Sequence, residues 1–364
     1  MSLESPTVSV IILAGSDNKY RSGTINSVRQ QIFSDLEILI FSDGSSDNLL
    51  AWFNRQLDPR LKLFVQQNLN TAEVLNWGLK EAKGKYIAFL KAGDLWHPHK
   101  LQKQVLCLDR CPDIGLVHSS LTSIDDRYQS VKKIIKRELS GWVEPEILER
   151  NLVDYQSAVI RRSCFDKVGL FDSQLATTFD WDMWIRLSRH YQFLAIAEPL
   201  VYYRQHRDRI PQSWLTVETD LQATIEKAYR NAPKQLLTFK NRSYAYSSLS
   251  LARQVLQHQH PDTVIAYHYC RQALEHSFYV GCSGEFFQVA LAVIVMGYLK
   301  SDRYNRLLIL IETGKIWLQM IFKKFGLLAH LLLDWMLEEE SKVSAKKSRV
   351  PRYQYIRGKK HRRI

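Results

Sequence analysis

Nothing in the sequence pairs its cysteines. The five, Cys107, Cys111, Cys164, Cys270 and Cys282, form no Cys-x-x-Cys and take no metal-ligand spacing with histidine, which argues against a disulfide framework and a zinc site. They are expected to be buried, reduced thiols. Long apolar runs are also missing. "FFQVALAVIVMGYL", residues 286–299, is 14 residues long, and the apolar stretch from Leu307 to Leu337 is interrupted by Lys315, Lys323 and Lys324, so neither fits a membrane-spanning helix. The opening "MSLESPTVSVIILAG" has no basic leader, and its apolar residues alternate with small polar ones as in a first strand; no signal peptide is expected, and the chain reads as cytoplasmic. Acidic residues are absent from Ser341 onward, where the last 24 residues carry ten Lys or Arg, so most of the net charge of +13 lies in this tail. The body is close to neutral and shows no recognised basic or aromatic module for nucleic acid. The tail is either a solvated extension or a contact for an anionic membrane or nucleic acid.

What is present is a strand-and-helix alternation. A chain of 364 residues, 46% hydrophobic and 24% charged, suits two or three compact soluble units. Residues 7–13, 36–41, 61–65 and 85–90 are short apolar or β-branched runs bounded by turn residues, and they predict strands. Between them, residues 22–32 (Ile25, Val28, Ile32), 46–57 and 71–83 (Val74, Leu75, Leu79) predict helices. This order implies a largely parallel sheet with helices on its faces and ligands at the carboxyl ends of the strands. Further on, "IGLVHSSLTSID" and "FLAIAEPLVYYR" predict strands and "DWDMWIRLSRHY" a helix. These would complete the cleft from its other side.

Beyond Ser213 the pattern is helical. "RSYAYSSLSLARQVLQ" and "DTVIAYHYCRQALEH" predict a helical hairpin around His260-Pro261 that resembles one tetratricopeptide unit without a second copy. From 307 to 337, Glu312, Lys315, Gln319, Lys323, His330 and Asp334 form one polar stripe on a long helix whose apolar face must be covered by the helical region, another subunit or a bilayer surface. The expected divisions are 1–105 and 106–214 as two halves of one α/β domain, 215–300 as a helical accessory domain, 301–340 as an amphipathic helix and 341–364 as a basic tail.

The turn "FSDGSSDN" places Asp43 at a strand end, where a carboxylate accepts hydrogen bonds from a base or ribose, and Gly44 where a tight bend lets a ligand approach the backbone. In "YIAFLKAGDLWHPHK", Lys91 stands at the end of the fourth expected strand. Read together, "PTVSVIILAGSDNKYRSGTINSVRQQIFSDLEILIFSDGSSDN", "DPRLKLFVQQNLNTAEVLNWGLKEAKGKYIAFLKAGDLWHPHKLQKQ" and "FDWDMWIRLSRHYQFLAIAEPLVYYRQH" resemble family 2 glycosyltransferases over roughly residues 6–210. The resemblance implies a GT-A fold, a Rossmann-like mixed sheet flanked by helices, here followed by an α-helical C-terminal region. It also implies inverting transfer of a sugar from a nucleotide-sugar donor to an acceptor hydroxyl on a glycan or lipid-linked acceptor, as in polysaccharide biosynthesis.

By that resemblance Asp43 and Gly44 fall on the Asp-Asp-Gly-Ser turn, with Ser42 replacing the first acid. Asn76 and Gly78 match an Asn-x-Gly, with Leu75 where arginine is common. The Asp-x-Asp that binds a divalent metal aligns with Lys91-Ala92-Gly93, so Mg²⁺ or Mn²⁺ is disfavoured and Lys91 is expected to take the metal's place against the donor diphosphate. Asp94 and His206 complete the expected donor site and are the remaining metal ligands if any metal binds. Asp180 aligns with the general base, Phe179 replacing the preceding Glu, and Asp182 is the reserve base. The losses at Ser42, Leu75, Lys91 and Gly93 leave a second expectation, a catalytically silent relative that binds a glycan, nucleotide or partner enzyme. A peripheral contact of residues 307–364 with an anionic membrane, at its inner face, is the remaining partner expectation.

Overall fold

The computed structural model describes residues 5–14, 18–43, 47–125, 130–134, 138–204, 213–230, 232–258 and 261–298. The expected stripe at 307–337 and the basic tail lie outside the described residues. The first half runs β1 (Val8–Ala14), α1 (Asn18–Arg29), β2 (Leu36–Ser42), α2 (Asp47–Phe53), β3 (Leu61–Val65), α3 (Thr71–Glu81) and β4 (Tyr86–Lys91). It continues through β5 (Leu95–Trp96), α4 (Lys100–Arg110), β6 (Ile114–Ile124), β7 (Ser130–Ile134), α5 (Glu144–Glu149), a 3-10 turn (Tyr155–Ser157), β8 (Val159–Arg161), α6 (Arg162–Val168), α7 (Phe179–Ser188) and β9 (Gln192–Arg204). The helices α8 (Trp214–Tyr229), α9 (Lys234–Leu237), α10 (Lys240–Gln257), α11 (Thr263–His276), α12 (Phe278–Gly281) and α13 (Gly284–Tyr298) follow.

One sheet carries the order β3-β2-β1-β4-β8-β6-β9-β5, with β7 on β6. β1 pairs in parallel with β2 and β4, β2 with β3, and β6 with β9, whereas β8 runs antiparallel between β4 and β6. The sheet is therefore mixed, and its four-strand parallel half is the one the alternating pattern predicts.

Both faces of that half are apolar, as buried parallel strands require. Val10 and Ile12 of β1, Ile38 and Ile40 of β2, and Ala88 and Leu90 of β4 pack under Ile25 and Val28 of α1 and Leu101, Val105 and Leu108 of α4. The alternate residues Ile11, Leu39, Phe41, Ile87 and Phe89 face Leu75 and Leu79 of α3 and the tryptophans of α7. Ile32, expected on the buried stripe of the first helix, is 50% exposed. The helix closes at Arg29, and the Ile32 N–H donates instead to Pro98 O at 3.0 Å.

α3 starts from a capping box in which the Asn70 side chain accepts from the Glu73 N–H and the Glu73 carboxylate accepts from the Asn70 N–H, satisfying donors that a helix start leaves open. α7 is buried along its length. Its indoles are satisfied by main-chain carbonyls, Trp181 Nε1 donating to Ile147 O at 2.7 Å and Trp184 Nε1 to Val153 O at 2.9 Å.

The predicted hairpin forms as α10 and α11. Ser243 of α10 donates to Leu148 O at 2.8 Å and meets Tyr229 Oη of α8 at 2.8 Å, so the hairpin is seated on the α/β part. Residues Met1–Gly281 make one compact unit, and a second begins at Cys282; the expected accessory domain, 215–300, spans that division. Among the described residues no helix is long and apolar enough to cross a membrane.

The entry into β4 depends on a close approach at Gly84, whose N–H donates to Ser9 Oγ at 2.8 Å. A Cβ there would stand 2.5 Å from Ser9 N and 2.7 Å from the Val8 carbonyl carbon, both backbone atoms of β1. Gly84→Ala is expected to lower unfolding stability by about 1–3 kcal/mol, the usual cost of forcing atoms into a packed site, read as a lower urea midpoint at unchanged slope.

Candidate active site

β1 lies between β2 and β4, so successive connections leave it in opposite directions and a crevice opens at the carboxyl ends of these strands. Asp43 follows β2 and is exposed; Lys91 ends β4 and is half-buried. They stand two strands apart, about 10 Å across the sheet, a span suited to an extended polar ligand. Gly44 and His206, both expected here, lie outside the described residues.

The turn after β4 is tightly held. Ala92 N donates to Leu13 O at 2.8 Å and Asp94 N to Lys91 O at 3.1 Å. Gly93 adopts φ 106°, a conformation that favours glycine. Thr24 of α1 accepts from Gly93 N at 3.0 Å and donates to Asp94 O at 2.8 Å. From β9, the buried Arg204 donates its Nε to Gly93 O at 3.0 Å and its backbone N–H to Asp94 Oδ1 at 2.7 Å, and its guanidinium lies 3.9 Å over the Tyr20 ring. Gln156 Nε2 donates to the other oxygen, Asp94 Oδ2.

Asp94 is thereby removed from the donor and metal roles expected for it: it is 2% exposed and both carboxylate oxygens accept bonds from the protein. Burial pushes its carboxyl up to about 7, opposed by the Arg204 N–H and the Lys91 charge. A divalent ion needs several oxygen ligands. Here the strand end offers an ammonium at Lys91, no side chain at Gly93 and an occupied carboxylate at Asp94, a donor set that does not fit Mg²⁺ or Mn²⁺. Among the described residues no group of three or more His, Cys, Asp or Glu is placed to hold a metal ion.

Asp180 is the second residue of α7 and is buried at 8% exposure. Its Oδ1 accepts from Trp181 N at 2.8 Å and from Asn151 Nδ2 at 3.1 Å. Thr178, not Asp180, occupies the N-cap position, although Asp180 does satisfy a first-turn N–H.

Asp182 leaves the list of bases. Arg186 Nη2 and Lys227 Nζ each lie 2.8 Å from its carboxylate, so the side chain is engaged in tying α7 to α8. Asn76 also has another task than donor binding: its Nδ2 donates to Phe171 O and its Oδ1 accepts from Phe171 N, both at 2.8 Å. Gly78 is small because a Cβ there would meet Ile11 Cγ2 at 2.7 Å, and Leu75 is a fully buried core residue.

Sequence reasoning did not single out Asn151, Tyr155, Gln156 or Arg204. The Tyr155 ring meets Phe179 edge-on at 5.6 Å. Burial, then the charges of Asp94, Asp180 and Asp154, push its hydroxyl well above the ordinary tyrosine range, placing it among the carboxylates of both walls. The one available signal was Arg204 at the end of the matched "YYR"; "NLVDYQS" has no periodicity to reveal it. A separate cavity of about 510 Å³, lined by Lys83, Lys85, Arg161 and Arg162, opens at the opposite end of the strands from Lys91.

The fold is that of an α/β protein whose parallel strand ends carry Asp43 and Lys91. The sequence pattern described as glycosyltransferase like family 2 matches residues 7–252, and the chain belongs to that family. An uncharacterized glycosyltransferase of Rickettsia typhi is 28% identical over 209 residues, covering 56% of this chain and 65% of that protein. Another, from Nostoc sp., is 38% identical over 114 residues, covering 30% of this chain and 35% of that one. The chain thus spans 65% or less of the length of these two relatives. Among solved structures, S. aureus TarS 1–349 in complex with UDP-GlcNAc has a TM-score of 0.53 at 15% identity, covering 76% of this chain and 90% of that one. The mannosyltransferase PcManGT from Pyrobaculum calidifontis, in complex with GDP-Man and Mn²⁺, has a TM-score of 0.50 at 18% identity, covering 86% and 88%. These likenesses are of fold, and they agree with the expected GT-A architecture.

The folded Asp94 carboxyl keeps its proton up to about pH 7, whereas the unfolded one releases it near 3.8. The native state therefore binds more protons in this window, and stability falls as pH rises through it. Relative to Asp94→Asn, the wild type is expected to lose stability between 3.8 and about 7, measured by urea unfolding at about pH 5 and about pH 8. An equal difference at both values would mean that Asp94 titrates as an ordinary carboxylate.

Proposed function

We propose that the chain is an inverting glycosyltransferase that moves a sugar from a nucleoside diphosphate donor to an acceptor hydroxyl without a resident metal ion. The observation that carries this reading is the segment 151–157, which bonds through Gln156 to Asp94 in the turn after Lys91 and through Asn151 to Asp180. In a single displacement the acceptor oxygen attacks the anomeric carbon, Asp180 takes its proton, and the bond from that carbon to the diphosphate oxygen breaks. The leaving diphosphate gains negative charge, and stabilising such charge is commonly the largest catalytic contribution. Lys91 supplies a fixed positive charge where the family's Asp-x-Asp would recruit an ion, acting on phosphate as a point charge. Asp43, exposed after the end of β2, accepts from the nucleoside.

The donors in the TarS and PcManGT structures, UDP-GlcNAc and GDP-Man, support a nucleotide sugar as the class of donor. The acceptor class is a glycan or a lipid-linked glycan, and polysaccharide assembly at the inner face of a membrane is the setting in which the basic tail would meet anionic headgroups. A second reading, a silent relative that binds through the same crevice, is favoured by the buried Leu75, which leaves the Asn-x-Gly helix without the family's arginine.

Lys91→Ala is expected to weaken binding of a nucleoside diphosphate about ten- to a hundredfold, the equivalent of a charge-assisted contact of about 1.5–3 kcal/mol. The nucleoside alone should bind as before, and wild-type diphosphate binding should persist in chelator. Calorimetry checks both. Unchanged affinity in Lys91→Ala, or loss of wild-type binding on chelation alone, contradicts the metal-free reading.

Asp180→Asn should leave donor affinity within a few fold while lowering turnover by about 10²–10⁴, the range for general base catalysis. Release of nucleoside diphosphate from UDP-GlcNAc or GDP-mannose is the assay. Binding without turnover in the wild type would favour the silent reading.

A further inference from the structure

The segment Asn151–Ser157 bonds to both walls of the crevice. Toward the donor side, Gln156 Nε2 donates to Asp94 Oδ2, Trp96 Nε1 to Gln156 O at 3.2 Å, and Gln104 Nε2 to Ser157 O at 2.8 Å. Toward α7, Trp184 Nε1 donates to Val153 O at 2.9 Å, the Tyr155 ring packs edge-on against Phe179, and Asn151 Nδ2 donates to Asp180 Oδ1 at 3.1 Å. Of these contacts, the one from Asn151 reaches the carboxylate itself. Asn151 Oδ1 accepts from Val153 N at 3.4 Å, which turns the amide so that nitrogen, not oxygen, faces Asp180. The asparagine is exposed and the aspartate buried, so the amide meets the carboxylate where it leaves the core.

We propose that Asn151 is the positioning residue of the catalytic base: with the Trp181 N–H, its amide holds the Asp180 carboxylate in one orientation at the wall of the crevice. The inference deepens the proposed function and rests on Asp180 being the base. A donor to a carboxylate favours the ionised form, and a neighbouring negative charge disfavours it. The buried Tyr155 hydroxyl feels the charges of Asp94, Asp180 and Asp154. Asp182 on α7 is bonded to Arg186 and Lys227, and Asp220 on α8 accepts from Thr177 N and Oγ1 at 2.8 Å. Asn151 and the Trp181 N–H are neutral donors to Asp180 Oδ1, and of these two only Asn151 donates from a side chain. Replacing it should therefore be felt at Asp180 without altering Lys91 or Asp43.

The test uses the full chain labelled with [γ-¹³C]aspartate, the Asp180 resonance being assigned by its loss in Asp180→Asn. Its titration midpoint is expected to rise by about half to one pH unit in Asn151→Ala and by more in Asn151→Asp, in line with the loss of a donor and the gain of a like charge. Thermal melts should show both variants folded, since the side chain is exposed. In turnover of UDP-GlcNAc and GDP-mannose, the acid limb of kcat should move upward in the same order while KM for the donor stays within a few fold. A residue that only braced the loop would change stability and leave the midpoint where it is. An unchanged midpoint in both variants overturns the proposal. A wild type that turns over neither nucleotide sugar counts against the proposed function, and the Asp180 midpoint still decides whether Asn151 sets the carboxylate's state.

Discussion

The structure depends on one buried carboxylate. Asp94 stands at the point where β4 ends, and its two oxygens accept from the end of β9 and from the 3-10 turn between α5 and β8. Elements far apart in sequence thus close on a single side chain. Burying a carboxylate is unfavourable unless its lone pairs are satisfied, and here they are satisfied by groups that must themselves be fixed: a backbone N–H on a strand and an amide on a turn that Trp96 and Gln104 also hold. The position of Lys91, three residues earlier, follows from that closure, and so does the separation of the two walls.

The same closure determines which way the Asp94 carboxylate points. In a metal site a carboxylate there would face the ion. In this chain it faces inward, and the positive charge at the crevice comes from a side chain on the strand itself. Arg204, stacked over Tyr20, completes an arrangement in which cations surround the strand end while the acidic group beneath them is held by neutral donors.

Much of the parallel half was legible in the sequence because it depends on local pattern: Val10, Ile12, Ile38 and Ile40 alternate as strand residues must, and Leu75 and Leu79 recur at helical spacing. The helix that carries Asp180 was legible from the run "DWDMWIRLSRHY", and it forms as α7. Asp182 and Asn76 were misread for a shared reason. Their residue types suit both chemistry and bracing, and only the positions of Lys227 and Phe171, distant in sequence, decide between the two. Asn151, Tyr155 and Gln156 were invisible because an irregular segment has no period, and their partners are set by the closure on Asp94. The antiparallel insertion of β8 between β4 and β6 was hidden likewise: Val159–Arg161 is too short a run to announce a strand.

Gly93 bears on what the strand end can carry. With φ at 106° and its carbonyl bonded to Arg204, the turn is built around a residue without a side chain. An aspartate there would have to adopt a backbone conformation that disfavours side-chain-bearing residues, and exchange at Lys91 alone would return one ligand, not a set. A carboxylate pair at this strand end would therefore need a different backbone at Gly93 as well as different side chains.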